Sequence, residues 1–226
     1  MDRLKIVTFY ADCDLPDQPR KNQSGFDWRG AIEWLRKSAA QQGYETIVVS
    51  DQRTDIEADI RVGDAKASGL MLWILQAQAE AIRLAEGPSV IVSPDSLVKG
   101  SLDGLMGDWD VALLTRRRPK PIVNSVIGFR PSEALHGLWL RMLDHAKRLP
   151  ADSIEWGADI DALVSYLKIS ASETGQRTVD GVRVRLLPMQ SVFTSVNRDA
   201  IERPRTPVWD FKGPRKKLMA RYAELP

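Results

Sequence analysis

The order of apolar segments constrains the fold of this chain more than any other feature. Three short runs rich in β-branched residues, at positions 4–10, 44–50 and 89–92, predict buried strands. Between them, residues 28–42 and 70–85 show the spacing of amphipathic helices. Strands that alternate with helices are typical of a parallel sheet with helices on both faces. We therefore expect an α/β fold.

The second half of the chain mixes the two element types. Further strands are predicted at 109–114, 122–129 and 182–187, and further helices at 131–149 and 159–167. No internal repeat or low-complexity linker divides the sequence. A chain of 226 residues can bury one substantial core. We expect one domain over residues 1–226, with residues 197–226, called here the C-terminal segment, as a basic lid that binds the ligand.

Charge and cysteine content exclude several classes of protein. The net charge is +2, from 32 basic and 30 acidic residues, so the overall charge of the protein does not indicate a nucleic-acid partner. The C-terminal segment holds eight Lys or Arg against four Asp or Glu, which leaves about −2 for the rest of the chain. A single cysteine, Cys13, fits a reducing compartment. No apolar run is long enough for a signal peptide or a bilayer span, so we expect a cytoplasmic protein.

Several common catalytic motifs are missing. The sequence has no G-x-G-x-x-G, no P-loop, no C-x-x-C and no G-x-S-x-G. His136 and His145 lie nine residues apart on one predicted helix. Dinucleotide, P-loop and zinc sites are therefore disfavoured.

Polar residues follow the predicted strands at their carboxyl ends, where open α/β sheets bind ligands. This rule selects residues 8–11, Asp51, residues 93–96 and residues 124–125. The Asp95 carboxylate directly follows an apolar strand and could ligate a hard divalent cation that also holds a diphosphate. Alternatively, Asp95 belongs to a Pro-Asp turn without a role in binding.

The C-terminal segment contains an acid, a glycine and several cations in a short, proline-bracketed turn. Lys212, Arg215 and Lys216 could neutralise phosphate, and Asp210 could hold a cation. Gly213 would let the backbone approach a bound group closely. A solvated basic tail is the alternative.

The order of these motifs resembles that of a known enzyme family. The motifs are Ser93-Pro94-Asp95-Ser96-Leu97-Val98, Trp109-Asp110-Val111-Ala112, Pro121-Ile122-Val123-Asn124-Ser125-Val126, Trp156-Gly157-Ala158-Asp159 and Asp210-x-x-Gly213-x-x-Lys216. Over residues 4–220 the chain is similar to nucleotide-sugar glycosyltransferases of the GT-A fold, most of all to the glycogenin-like branch and its bacterial and phage relatives. The resemblance implies a single GT-A-like, Rossmann-like domain with a mostly parallel central sheet flanked by helices. It implies an enzyme that moves a sugar from a nucleotide-diphosphate sugar, such as a UDP-sugar, to an acceptor.

The resemblance also implies roles for individual residues. A Mn²⁺ or Mg²⁺ ion would be held by Asp95 and Asp210, with Ser93 in the place of the family's first carboxylate. The diphosphate would contact Lys212, Gly213, Arg215 and Lys216. The donor sugar would face Asn124, Ser125 and Asp159, the last as acceptor of hydroxyl protons. The base and ribose would contact Thr8, Phe9, Tyr10, Ala11 and Asp51.

Departures from the family pattern leave alternatives open. Ser93 removes one negative charge, so metal affinity should fall, and a metal-independent site with Lys212, Arg215, Lys216 and Arg116 is an alternative. Asp159 could instead cap the helix that it opens. Asn124 could be a satisfied buried amide. The spacing does not fix the stereochemistry of transfer, although the resemblance favours retention.

Two other functions compete with sugar transfer. The C-terminal segment and the basic loop 116–120 could grip a nucleic-acid backbone, and a modified DNA base is one candidate acceptor. Alternatively, the missing carboxylate at Ser93 would suit a protein that binds a nucleotide sugar without transferring it.

Overall fold

The structure, a computed structural model, describes residues 3–12, 26–66, 69–117, 120–149, 157–196 and 205–224. The strands are β1 (Lys5–Tyr10), β2 (Glu45–Asp51), β3 (Ile60–Val62), β4 (Ser89–Val92), β5 (Ser96–Val98), β6 (Val111–Thr115), β7 (Ile122–Phe129), β8 (Gly175–Val179), β9 (Val182–Pro188), β10 (Phe193–Ser195) and β11 (Val208–Asp210). The helices are α1 (Trp28–Gln41), α2 (Leu70–Leu84), α3 (Glu133–Ala146), α4 (Ala158–Leu167) and α5 (Met219–Ala223).

A central sheet of eight strands has the order β3-β2-β1-β4-β7-β6-β9-β8. The neighbours β3, β2, β1 and β4 are parallel, as are β6 and β9. Strands β7 and β8 run against their neighbours. Six strands therefore point one way, which confirms the predicted mostly parallel α/β sheet.

At the carboxyl edge of this sheet, β7 is longer than its neighbour β4. Val92, the last residue of β4, pairs with Val126. The first half of β7 thus extends beyond β4, and the Ser93 amide donates to the Ser125 carbonyl at 2.9 Å. Because β1, β2 and β6 also end at this edge, the polar residues that follow the strands are brought to one side of the molecule.

Apolar side chains cover both faces of the sheet. On one face, Phe9, Ile91 and Leu113 pack in one cluster with side chains of α2, α3 and α4. On the other, Ile6, Val90 and Ala112 pack with α1, α5 and a second, smaller sheet. Alternate residues of each strand point to opposite faces, so the apolar runs read in the sequence supply both cores.

The second sheet was not predicted. Its order is β10-β11-β5, with Trp209 of β11 opposite Leu97 of β5. The proline-bracketed turn expected near Asp210 is instead a strand, followed by a 3₁₀ helix at Gly213–Leu218 and by α5. Trp209 and Phe211 are buried in the core on this face. The pairing of β11 with β5 joins residues over a hundred positions apart, which no local sequence pattern predicts.

Two other strands were also missed, whereas helix α4 was predicted at 159–167. Strand β3 lies in the polar stretch 51–68, and strand β8 is an edge strand with alternating exposure. Helix α4 begins at Ala158 and is preceded by Gly157, whose φ of 102° is left-handed. No helix in the described ranges has the length and apolar character needed to cross a membrane.

Candidate active site

Asp95 lies at the centre of a cluster of charged groups at the carboxyl edge. Its side chain is 7% exposed, and Lys216 Nζ lies 3.0 Å and Lys212 Nζ 3.5 Å from its Oδ2. Ser93 donates a 2.6 Å hydrogen bond to its other oxygen. Burial raises the pKa of Asp95, but the two lysines outweigh burial and hold the pKa at about 2. Asp95 is therefore a carboxylate whose charge is compensated by the protein itself.

Asp210 approaches this cluster through the second sheet. Antiparallel pairing places it opposite Ser96, and parallel pairing places it opposite Ser195. Both hydroxyls lie 3.3 Å from its carboxylate oxygens, and Lys212 Nζ lies 2.9 Å from Oδ1. Complete burial raises the pKa of Asp210 to about 6, and the charge of Asp95 adds to this rise while Lys212 opposes it.

Lys216 is the most enclosed cation of the cluster. The residue is 3% exposed, and its ammonium lies 3.6 Å from the ring centre of Trp28 and 5.3 Å from that of Phe26. The two rings meet edge to face at 4.9 Å. Burial lowers the pKa of Lys216, and the Asp95 carboxylate opposes this effect. Cation–π contacts of this kind contribute about 0.5–2 kcal/mol each.

Lys212 is the accessible cation, with 45% of its side chain exposed. It also contacts the Ser125 hydroxyl at 3.4 Å. Partial burial lowers the pKa of Lys212, but the Asp95 and Asp210 carboxylates raise it by more, so the net pKa lies above its ordinary value. Gly213 follows with φ of 57°, a conformation that favours glycine and turns the chain into the 3₁₀ helix that carries Lys216.

Arg215 is oriented by the backbone of the same segment. Its Nη1 donates to the Val196 carbonyl at 2.6 Å, and its Nε donates to the Lys212 carbonyl at 3.0 Å. The structure therefore brings Asp95, Asp210, Lys212, Gly213, Arg215 and Lys216 into one region, as the sequence predicted.

Asn124 and Asp159 form the second part of the site. The Asn124 amide donates to Asp159 Oδ2 in a short hydrogen bond. Among the described residues, the remaining side-chain oxygens, Asn124 Oδ1 and Asp159 Oδ1, are buried without a hydrogen-bond partner. Burial raises the pKa of Asp159, and the Asn124 amide opposes the rise. Two orphan acceptors in one place suit a ligand that carries hydroxyl donors.

Asp159 does not cap its helix, which corrects one of the alternatives. The cap position is Gly157, and Asp159 lies in the first turn of α4. Lys120 fixes this helix start, because its Nζ contacts the Gly157 carbonyl at 3.1 Å and Asp161 at 2.6 Å. The φ of 102° at Gly157 lies in the left-handed region, which favours glycine at this position.

The residues predicted to contact the base and the ribose differ in burial and in hydrogen bonding. The β1 side chains Thr8, Phe9 and Tyr10 are buried, and Ala11 is half-buried. The Tyr10 hydroxyl donates to Asp12, and burial together with that carboxylate raises its pKa to about 12. Asp51 is fully buried and accepts from the backbone amides of Thr54 and Ala65. Its carboxylate thus already has partners in its own loop, and its contact with a nucleotide stays a prediction.

Sequence reasoning missed several contributors to the charged cluster. Trp28 was not selected as a site residue, but its ring faces Lys216. Ser195 was not selected, and its contact with Asp210, like that of Ser96, depends on strand pairing that no local sequence pattern predicts. Arg116, which was named for the alternative metal-independent site, is half-buried; burial lowers its pKa, and Asp210 acts on that pKa in the opposite direction.

The residues present do not fit the divalent ion that the family resemblance implies. Asp95 and Asp210 are the two carboxylates, and both already contact ammonium groups. Within the described parts of the chain, no three His, Cys, Asp or Glu side chains are arranged to hold a metal ion. Mn²⁺ and Mg²⁺ ordinarily take about six oxygen ligands. No chemical step is therefore assigned to a metal, and the predicted ion stays a prediction.

Comparison with known proteins shows the fold. No family model matches the chain, and no curated protein matches it. Among solved structures, a glycosyltransferase involved in the glycosylation of the major capsid of PBCV-1 is similar with a TM-score of 0.58 and 10% identity, over 99% of both chains. The apo form of the glycosyltransferase GlyE of Streptococcus pneumoniae TIGR4 is similar with a TM-score of 0.60 and 13% identity. The bifunctional glycosyltransferase WbbM is similar with a TM-score of 0.54 and 12% identity.

The extent of these matches differs. The chain spans 61% of the GlyE chain and 46% of the WbbM chain, but nearly the full length of the capsid glycosyltransferase. At such low identity the likeness is one of fold. The predicted GT-A-like fold is confirmed, whereas the glycogenin-like branch stays a prediction.

Proposed function

We propose that this chain is a glycosyltransferase that moves a sugar from a nucleoside-diphosphate donor to an acceptor. The main observation behind the proposal is that a positively charged surface lies next to a surface of unpaired hydrogen-bond acceptors at one edge of the sheet. Lys212, Lys216 and Arg116 supply positive charge on one side, and Asn124 and Asp159 supply orphan acceptors on the other. A nucleotide sugar is complementary to both surfaces, because its anionic diphosphate is joined to a sugar ring that carries hydroxyl donors. The shared fold with glycosyltransferases supports the same reading.

Strand β7 joins the two surfaces. Asn124 and Ser125 lie where the pairing of β7 with β6 shifts its register, and their side chains contact different parts of the site. Asn124 contacts Asp159, whereas Ser125 contacts Lys212. A donor laid across the end of this strand would meet the basic cluster with its diphosphate and the Asn124–Asp159 pair with its sugar.

Glycosyl transfer mainly requires stabilisation of the negative charge that develops on the departing nucleoside diphosphate. An acceptor oxygen bonds to the anomeric carbon while the bond from that carbon to the diphosphate oxygen breaks. The electron pair of the broken bond leaves with the nucleoside diphosphate, which takes up the proton that the acceptor hydroxyl loses. Ammonium and guanidinium groups placed at the developing charge lower the barrier most. Asp159, with its raised pKa, is suited to accept hydrogen bonds from the sugar hydroxyls and to hold the ring in place.

A thermal-shift screen of nucleotide sugars tests the proposal. At least one nucleotide sugar should raise the melting temperature more than its nucleoside does, because only the former reaches the lysines. That donor should then release nucleoside diphosphate when incubated with the protein. Binding without release would favour a non-catalytic binding protein. No stabilisation by any nucleotide sugar would contradict the proposal.

A conservative substitution tests the sugar side of the site. Asp159→Asn keeps the shape of the side chain but removes its charge, so transfer should fall by roughly 100-fold or more. Asp144→Asn is the control, since that exposed carboxylate lies on α3 and pairs with Lys147. Equal activity in the two variants would remove Asp159 from the site.

A further inference from the structure

The charged cluster holds an ammonium group where a donor site of this fold is expected to hold a metal. Lys212 Nζ lies 2.9 Å from Asp210 Oδ1, 3.5 Å from Asp95 Oδ2 and 3.4 Å from the Ser125 hydroxyl. Three oxygens from three different elements thus converge on one positive charge. Two of them belong to Asp95 and Asp210, the carboxylates that the family resemblance assigns to the divalent ion.

Charge balance points in the same direction. Lys212 and Lys216 together carry the charge of one divalent ion and oppose the two carboxylates. Lys216 is held at Asp95 by burial and by the Trp28 ring, so it is a fixed part of the cluster. A divalent ion added to this arrangement would have to share both carboxylates with cations already present, and like charges at such distances repel strongly.

The serine at position 93 fits this arrangement. A carboxylate there would place a third negative charge beside Asp95 and favour a divalent ion. Its hydroxyl instead donates to Asp95 Oδ1 at 2.6 Å and leaves Oδ2 to the two lysines. One hydrogen bond and two ion pairs therefore satisfy this carboxylate within the protein.

We infer that the ammonium of Lys212 takes the place of the divalent ion, so that the chain binds a diphosphate donor without a metal. This inference rests on the proposed function for the identity of the donor. Asp95 and Asp210 then serve to position Lys212 and Lys216 rather than to ligate a metal. Lys212, whose side chain is 45% exposed, presents its charge to the diphosphate.

Mn²⁺ titration of the protein alone, followed by electron paramagnetic resonance, tests the first half of the inference. The wild type should bind no Mn²⁺ below about 1 mM, the weak end of protein sites for divalent ions. Lys212→Met keeps the aliphatic stem but removes the charge, so it should bind Mn²⁺ at least about tenfold more tightly. Lys217→Met, at an exposed neighbouring lysine, should behave as the wild type. Tight Mn²⁺ binding by the wild type, or no gain in Lys212→Met, would overturn the inference.

Pyrophosphate binding measured by calorimetry in the presence of EDTA tests the second half. The wild type and Lys217→Met should bind equally well with EDTA or with Mn²⁺, whereas Lys212→Met should bind at least about tenfold more weakly in EDTA. Loss of wild-type binding in EDTA would overturn the inference. Neither titration involves a sugar or a transfer step, so a protein that fails to transfer sugar could still meet both expectations. Circular dichroism of each variant checks that the fold is retained.

Discussion

At Asp210, burial and a neighbouring carboxylate both favour the protonated form of one side chain. The residue is fully buried and accepts hydrogen bonds from Ser96 and Ser195, but the nearby charge of Asp95 makes its ionisation costly. Asp95, a few ångströms from the same lysine, is held ionised. Two carboxylates of one cluster therefore differ in pKa because their cations are shared unequally.

This difference predicts how stability depends on pH. The pKa of Asp210 is raised in the folded protein, so its contribution to stability is present below the unfolded value near 4 and is lost as the pH rises through about 6. A rise of about two units corresponds to about 3 kcal/mol. Between pH 3 and pH 7 the free energy of unfolding of the wild type should therefore fall by about 3 kcal/mol relative to that of Asp210→Asn. Urea denaturation at several pH values measures both, and parallel profiles would contradict the assignment.

Lys216 is the residue whose removal should separate phosphate binding from nucleoside binding. Lys216→Ala deletes a charge-assisted contact worth about 1.5–3 kcal/mol, so nucleoside diphosphate should bind about 10- to 100-fold more weakly. Nucleoside binding should change little. Lys217→Ala provides the control, because that side chain is exposed on the same 3₁₀ helix. Equal losses for the two ligands would contradict a phosphate role for Lys216.

Among the elements, the 3₁₀ helix Gly213–Leu218 has the most specific task. It places Lys216 between Asp95 and the aromatic rings, while the preceding strand β11 places Asp210 beside Lys212. The turn between the two elements depends on the left-handed φ of Gly213. The geometry of the basic cluster is therefore set by one short connection.

Gly213→Ala tests that dependence. A residue with a Cβ in the left-handed region costs roughly 1–2 kcal/mol, so the free energy of unfolding should fall by about that amount. Pyrophosphate should also bind more weakly, since Lys212 and Lys216 flank the turn. Gly63→Ala is the matched control, because neither its backbone conformation nor its surroundings oppose a Cβ. Urea denaturation compares the two, and equal stabilities would show that the turn tolerates any residue.

At the scale of the whole molecule, the last described residues are built into the core. Trp209, Phe211 and Met219 are buried with side chains of α1 and β4. Helix α5 also packs against α1, and Lys37 pairs with Glu224 at 2.6 Å. The part of the C-terminal segment that the structure describes thus contributes to the same core as the first helix.

That packing predicts a single unfolding transition. Because both faces of the central sheet share strands β1, β4 and β6, loss of one core should remove support from the other. Differential scanning calorimetry should give one peak whose calorimetric and van't Hoff enthalpies agree. Two resolved transitions would instead indicate that the smaller sheet unfolds as a separate unit.

The central sheet could be predicted from the sequence because its signals are local. Strands such as β1 and β2 are continuous apolar runs, and α1 and α2 show a helical period over more than three turns. The carboxyl-edge rule then selected Asp95, Asn124 and Ser125 without knowledge of any contact. The charged residues of the C-terminal segment were selected by the composition of one short stretch and by the family resemblance.

The arrangement of the charges could not be predicted, since it depends on pairing between distant parts of the chain. Asp210 and Lys212 approach Asp95 because β11 pairs with β5, over a hundred residues earlier. Trp28 meets Lys216 because α1 and the 3₁₀ helix pack on the same face of the sheet. Local patterns thus determined which strands and helices form and which residue types stand at the sheet edge. The tertiary structure alone decided which cation faces which carboxylate, because distances between charges depend on how non-adjacent elements pack.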